Sequence, residues 1–112
     1  MAQYQHLDGL FLALSDPTRR AVIGRLGRGA ATVTELAAPF DMALPSFMKH
    51  IRQLEQSGWI ATEKTGRVRT CRLEPVTFGA AQAWLDEQRA IWEGRTNRLE
   101  AFVTRTSPET AK

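Results

Sequence analysis

Between Thr32 and Gly58 the order of helix starts and stops allows little besides two short helices folded across a tight turn. Thr32-Val33-Thr34-Glu35 has the form of a capping box. In such a box the threonine hydroxyl accepts from the amide three residues on, and the glutamate reaches back to the threonine amide. The helix begun there is brief, because Pro39 cannot lie in a helix interior. Phe40 to Leu44 leaves room only for a turn, and Pro45 suits a helix start, where its missing N–H costs nothing. From Pro45 to Ser57 the apolar Phe47, Ile51 and Leu54 recur at i, i+4 and i+7, and Gly58 stops the run. Ser46, Lys49, His50, Gln53 and Gln56 fall off that stripe, so a polar face looks outward.

The flanking segments complete a pattern. Leu7, Leu10, Phe11 and Leu14 share one face of a first short helix. Asp16 is a good N-cap, with Pro17 at the first position of a second helix. That helix carries Val22, Ile23 and Leu26 inward and stops in Gly27 and Gly29. After Gly58, Trp59–Glu63 and Val68–Leu73 read as strands joined through Lys64-Thr65-Gly66-Arg67, a β-hairpin. Glu74-Pro75 breaks the second strand, and Thr77 to about Thr104 reads as one long helix. The fold class expected is mostly α with a small β-hairpin: a winged helix-turn-helix with a long C-terminal dimerisation helix. Residues 1–104 form a single domain in this reading, and 105–112 a polar tail.

Composition narrows what such a chain can do. At 112 residues, 43% hydrophobic and 24% charged, it is an ordinary globular domain with room for one core. No apolar run approaches the roughly 18 residues of a membrane span, and the N-terminus lacks a secretory pattern. A single cysteine, Cys71, excludes an internal disulfide framework and fits a reducing compartment, so a cytoplasmic location is expected. The net charge of +3 is concentrated in the middle of the chain. Arg19, Arg20, Arg25, Arg28, Lys49, Arg52, Lys64, Arg67, Arg69 and Arg72 stand there against only Glu35, Asp41, Glu55 and Glu63. A positive middle between slightly acidic ends suits a polyanionic partner.

In order and spacing these residues resemble the ArsR/SmtB-type bacterial repressors. The resemblance rests on Ala13-Leu14-Ser15-Asp16-Pro17-Thr18-Arg19-Arg20, Thr34-Glu35-Leu36-Ala37 and Leu44-Pro45-Ser46-Phe47-Met48-Lys49-His50-Ile51. It continues through Leu54-Glu55-Gln56-Ser57-Gly58-Trp59-Ile60 and the wing from Thr65 to Pro75. It implies a homodimeric, effector-responsive repressor that often controls its own operon. Metal-sensing members carry cysteine pairs near the third helix or His/Asp/Glu clusters on the last; this chain has no thiol near the third helix and no histidine on the last. One cysteine and two separated histidines, His6 and His50, cannot supply three or four converging ligands within a protomer. No metal and no other cofactor is therefore expected.

For DNA contact the sequence nominates Ser46, Lys49 and His50 to reach base edges and Arg52 to meet phosphate. Arg67 and Arg69, two apart on the wing, should share a face, with Arg72 on the other. Arg19 and Arg20 divide evenly between DNA contact and packing at their corner. For dimerisation the heptad-spaced Phe78, Leu85, Trp92 and Leu99, joined by Phe102, form a stripe too long for a small body to cover. Leu7, Leu10 and Phe11 should complete that interface. The expected partners are a double-stranded DNA operator, a second copy of the chain and a small-molecule effector of unknown chemistry; no membrane is expected. Cys71 has no resolving partner and reads first as a packing residue. The alternative function is a winged-helix module that binds protein or effector without reading DNA, favoured by Met48, where many members of the resembled family carry a small polar residue, and by Ala43, where they often have a serine N-cap, and opposed by the basic wing. No catalytic constellation is present, and an enzyme is not expected.

Overall fold

The computed structural model describes the backbone of residues 2–106 and the side chains of residues 6–95. The elements are α1 (Ala2–Ala13), α2 (Pro17–Leu26), β1 (Ala31–Thr32), α3 (Val33–Ala37), α4 (Leu44–Gln56), β2 (Ile60–Thr65), β3 (Val68–Leu73) and α5 (Pro75–Thr106). They fall into two compact units, Met1–Ala81 and Gln82–Lys112.

In the first unit the helix starts follow their caps. Asp16 accepts from the Arg19 amide to open α2, and Pro17 takes the first turn. Thr32 and Glu35 form the reciprocal capping box of α3, at 3.1 Å and 2.8 Å. α4 starts on Ala43, whose backbone is extended but which makes no side-chain cap bond. Its buried stripe is Phe47, Ile51 and Leu54. These three join Leu10, Val22, Ile60 and Cys71 as the largest wholly buried side chains, so α4 is seated on the centre of the core. Trp59 is buried in the same core. Its indole Nε1 donates to the Leu10 carbonyl at 2.7 Å, and its ring meets Phe78 edge-on at 5.0 Å.

Two expectations change here. The sheet has three strands in the order β1-β3-β2, with Ala31 opposite Cys71 and Thr32 opposite Thr70. A two-residue strand is too short to show any alternation, so β1 leaves no pattern in the sequence. The hairpin turn is also tighter than the four residues expected. Lys64 and Thr65 pair with Arg69 and Val68, leaving only Gly66-Arg67 outside the ladder. Gly66 has φ +63°, the left-handed conformation that two-residue hairpin turns require of a central residue.

A third correction concerns the first helix as a dimer surface. Leu7 and Leu10 are buried within their own protomer, Leu10 completely, so both pack chiefly into its core rather than facing outward. Phe11 is half-buried.

The second unit is the continuation of α5. Asp86 accepts from Gln82 Nε2 at 2.9 Å and from Arg89 Nη2 at 2.7 Å, pairs three and four residues apart on one helical side. Leu85, Ile91 and Trp92 are exposed. The side chains of Leu99 and Phe102 lie outside the described residues. Among the described residues no helix is long and apolar enough to cross a membrane.

Candidate nucleic-acid interface

The polar face of α4 is the most distinctive surface of the first unit. With Phe47, Ile51 and Leu54 driven into the core, the opposite side of the helix presents Ser46, Lys49 and Arg52. All three are exposed, and none makes a hydrogen bond or ion pair among the described residues. Unpaired donors on the outer face of a helix anchored behind by core packing are what a groove-reading helix needs. Met48 is half-buried.

His50 is placed differently. It lies four residues on from Ser46 and one before Ile51, at the border between the polar and apolar faces. Its ring is half-buried and turned toward α2. There Arg19 forms a hub that sequence reading divided evenly between packing and DNA. Arg19 is buried, with Nε donating to the Ala13 carbonyl at 2.7 Å and Nη2 to the Leu12 carbonyl at 3.3 Å. Its Nη1 reaches Gln53 Oε1 at 3.1 Å and His50 Nδ1 at 3.2 Å. One guanidinium thus ties the last carbonyls of α1 to two side chains of α4. A signal for this was available: Arg19, Val22 and Leu26 share the buried stripe of α2, so Arg19 occupies a core position. Arg20 is exposed and caps the Leu14 carbonyl at 2.7 Å.

Asp16 completes the corner, its Oδ2 lying 3.7 Å from His50 Nδ1. Partial burial pushes its carboxyl upward. The Arg19 amide, the neighbouring His50 ring, the Arg19 guanidinium and the Thr18 amide together outweigh that and hold it below the usual aspartate value.

The wing separates its two arginines. Arg67 sits in the turn rather than on the strand, so strand parity does not link it to Arg69. It is exposed and unpaired among the described residues. Arg69 is half-buried on the side of β3 that also carries Cys71, while Val68, Thr70 and Arg72 face out. Arg69 Nη1 donates to Thr62 Oγ1 at 2.7 Å, and that hydroxyl donates to Glu55 Oε2 at 2.9 Å. The chain Arg69–Thr62–Glu55 braces the wing against the C-terminal end of α4, a connection that no local spacing reveals. Outward-facing Arg72 pairs with Glu74 at 2.6 Å.

Cys71 lies beneath this brace, wholly buried. Burial and the nearby Glu55 charge push its thiol up, only partly opposed by Arg69. A thiol so placed is a packing group, not a nucleophile. Among the described residues no three His, Cys, Asp or Glu side chains gather closely enough to hold a metal ion. A cleft of about 460 Å³ opens between α2 and α3, lined by the apolar Val22, Leu36, Pro39 and Phe40 together with the charged Arg25, Arg28 and Glu35. Phe40 also packs on Phe47 of α4, ring centres 5.6 Å apart.

Comparison with known proteins agrees with this geometry. A helix-turn-helix domain family matches residues 14–62. The chain is 31% identical over 86 residues to the HTH-type transcriptional regulator Rv2034 of Mycobacterium tuberculosis, covering 77% of this chain and 80% of that protein. It is 33% identical over 61 residues to the transcriptional repressor SdpR of Bacillus subtilis, covering 54% and 68%. A crystal structure of an ArsR family transcriptional regulator superposes with a TM-score of 0.78 at 67% identity, covering 80% of this chain and 92% of that one. With the braced wing, the capped helix-turn-helix and relatives at these identities, the chain belongs to the ArsR family of winged helix-turn-helix transcriptional regulators.

Proposed function

We propose that the protein is an autoregulating repressor that binds an inverted-repeat operator as a homodimer, each protomer laying α4 in a major groove. The observation that carries this is the set of unpaired donors on α4, Ser46, Lys49 and Arg52, on a helix whose other face is locked into the core. Lys49 and Ser46 read base edges, His50 assists from the border of the face, and Arg52 meets phosphate. Arg67, free at the wing tip, reaches the adjacent backbone or minor groove. Arg69 supports the wing through Thr62 and Glu55 and does not itself need to touch DNA. A chromosomal operator places this work in the cytoplasm.

The second copy is recruited through α5. Phe78 in the first unit and Leu85, Ile91 and Trp92 in the second are large apolar side chains left open to solvent, a cost that an isologous partner removes. Leu99 and Phe102 extend the same heptad pattern in the sequence. Phe11, half-buried on α1, is the remaining first-helix contributor. For a small-molecule effector we assign the α2/α3 cleft, whose size is in the small-molecule range. A ligand there would bear on Phe40 and, through it, on Phe47 of α4.

The test is selection of duplexes from a random-sequence pool, followed by mobility shifts on the winners and on the protein's own upstream region. The expected winners are inverted repeats with half-site centres about one helical turn apart, roughly 34 Å. Affinity should fall steeply with salt, by a log–log slope of about 0.9 per phosphate neutralised. No enrichment and no retardation at low salt would remove the repressor reading in favour of a module that does not bind DNA.

A further inference from the structure

The corner where α1, α2 and α4 meet does more than pack. We propose that Arg19 is a positioning residue for DNA recognition: it fixes His50 in the tautomer carrying its proton on Nε2, so that this N–H faces outward as an oriented donor to DNA. The inference rests on the reading of α4 as the DNA-contacting helix.

A guanidinium has five N–H donors and no acceptor. At 3.2 Å from Arg19 Nη1, His50 Nδ1 can therefore only accept, since a proton on Nδ1 would point at another N–H. The competing partner is Asp16, which would favour a proton on Nδ1. Its Oδ2 stands 3.7 Å away, beyond hydrogen-bond range, and is already occupied by the Arg19 amide at 3.1 Å. Arg19 wins on distance. The neutral ring then carries its proton on Nε2. That nitrogen has no partner among the described residues, and no side-chain nitrogen or oxygen among them is both buried and unpaired. Nε2–H consequently reaches solvent from a ring that is otherwise half-buried and held. Gln53, accepting from the same Nη1 at 3.1 Å, fixes the neighbouring turn of α4 to the same hub. Because Arg19 also holds the Leu12 and Ala13 carbonyls, the end of α1 and the donor on α4 share one rigid anchor. An oriented N–H donor pairs with an acceptor such as purine N7, guanine O6 or a phosphate oxygen.

Two measurements test this. With only two histidines in the chain, long-range proton–nitrogen NMR of the free protein assigns the His50 tautomer directly. The expected result is a single Nε2–H form in the native protein and a mixture in Arg19→Met; an Nδ1–H form or a native mixture overturns the proposal. The second measurement compares a selected duplex with a random-sequence duplex for His50→Gln and His50→Asn. Glutamine places an amide N–H near the Nε2 position and should keep most of the discrimination. Asparagine places it near Nδ1 and should lose about tenfold, the weight of one good base contact. The reverse order overturns the proposal. Arg19→Met should lose discrimination with an unchanged salt slope, whereas a slope reduced by about 0.9 would mean that Arg19 itself neutralises a phosphate. Failure of the unaltered protein to bind any duplex would instead strike the functional reading, and leave the tautomer measurement to be judged separately.

Discussion

Asp16 shows how much one short side chain can settle. It caps α2 through the Arg19 amide and lies beside the guanidinium hub that holds α4. Asp16→Ala should cost about 0.5–2 kcal/mol, the usual loss of an N-cap, lowering the melting temperature by about 4–8 °C per kcal/mol. Asp16→Asn keeps a capping oxygen and removes only the charge. Since the folded-state pKa is depressed, the charge contributes fully above the unfolded value and is lost as pH falls through the folded one. The stability gap between native and Asp16→Asn protein should therefore be present at neutral pH and close as pH falls below the ordinary aspartate range. Denaturant titrations at several pH values measure it; a gap that widens on acidification would reverse the sign. Lys49 and Arg67 allow a second contrast, because both are exposed and unpaired and neither should affect folding. Lys49→Ala should weaken a selected duplex by about 1–3 kcal/mol and a random one much less. Arg67→Ala should weaken both alike and reduce the salt slope by about 0.9. Equal losses on both duplexes for both variants would erase the division between reading helix and anchoring wing.

At the scale of elements, what the sequence made legible was whatever short-range chemistry decides. Asp16 and the Thr32–Glu35 box were readable because a cap is a contact within a few residues, whereas the bare Ala43 came only from the family resemblance. The stripe of Phe47, Ile51 and Leu54 was readable because helical spacing puts it on one side. Contacts between distant segments were not. β1 is two residues pairing with a strand some forty positions on. The Arg69–Thr62–Glu55 brace spans a strand pair and a helix. His50 and Arg69 were nominated by position alone, yet each is half-buried by a partner that only the folded chain brings near. The missing cap of α4 carries its own prediction. Ala43 has φ −64° and ψ 145°, the extended backbone an N-cap residue adopts. Ala43→Ser should therefore stabilise the protein by about 1 kcal/mol by satisfying an amide of the first turn. Thermal unfolding checks this, and a neutral or destabilising result would mean that Pro45 already leaves too few free amides for a cap to matter.

For the whole molecule, the proposed repressor depends on how firmly two copies hold their α4 helices at a fixed spacing. Two half-sites bound by one rigid body gain from effective concentration, whereas two separate monomers gain nothing from each other. Leu10 is consumed by its own core and cannot supply that rigidity, so the proposed interface rests on α5. Leu85 and Trp92 are seven residues apart and both exposed, and each large side chain buried at such a seam contributes on the order of 1.5–3 kcal/mol. Leu85→Ala with Trp92→Ala removes much of that on both sides of a two-fold interface, so its effect is doubled in the dimer. The double variant should sediment as a monomer at concentrations where the native protein is a dimer. It should also lose tight binding to an inverted repeat while keeping weak, salt-sensitive binding to a single half-site. That last arm matters, because Ser46, Lys49, Arg52 and Arg67 all lie in the first unit and remain untouched. A variant that still sediments as a dimer with full operator affinity would show that this stripe packs within its own protomer and that another surface joins the subunits.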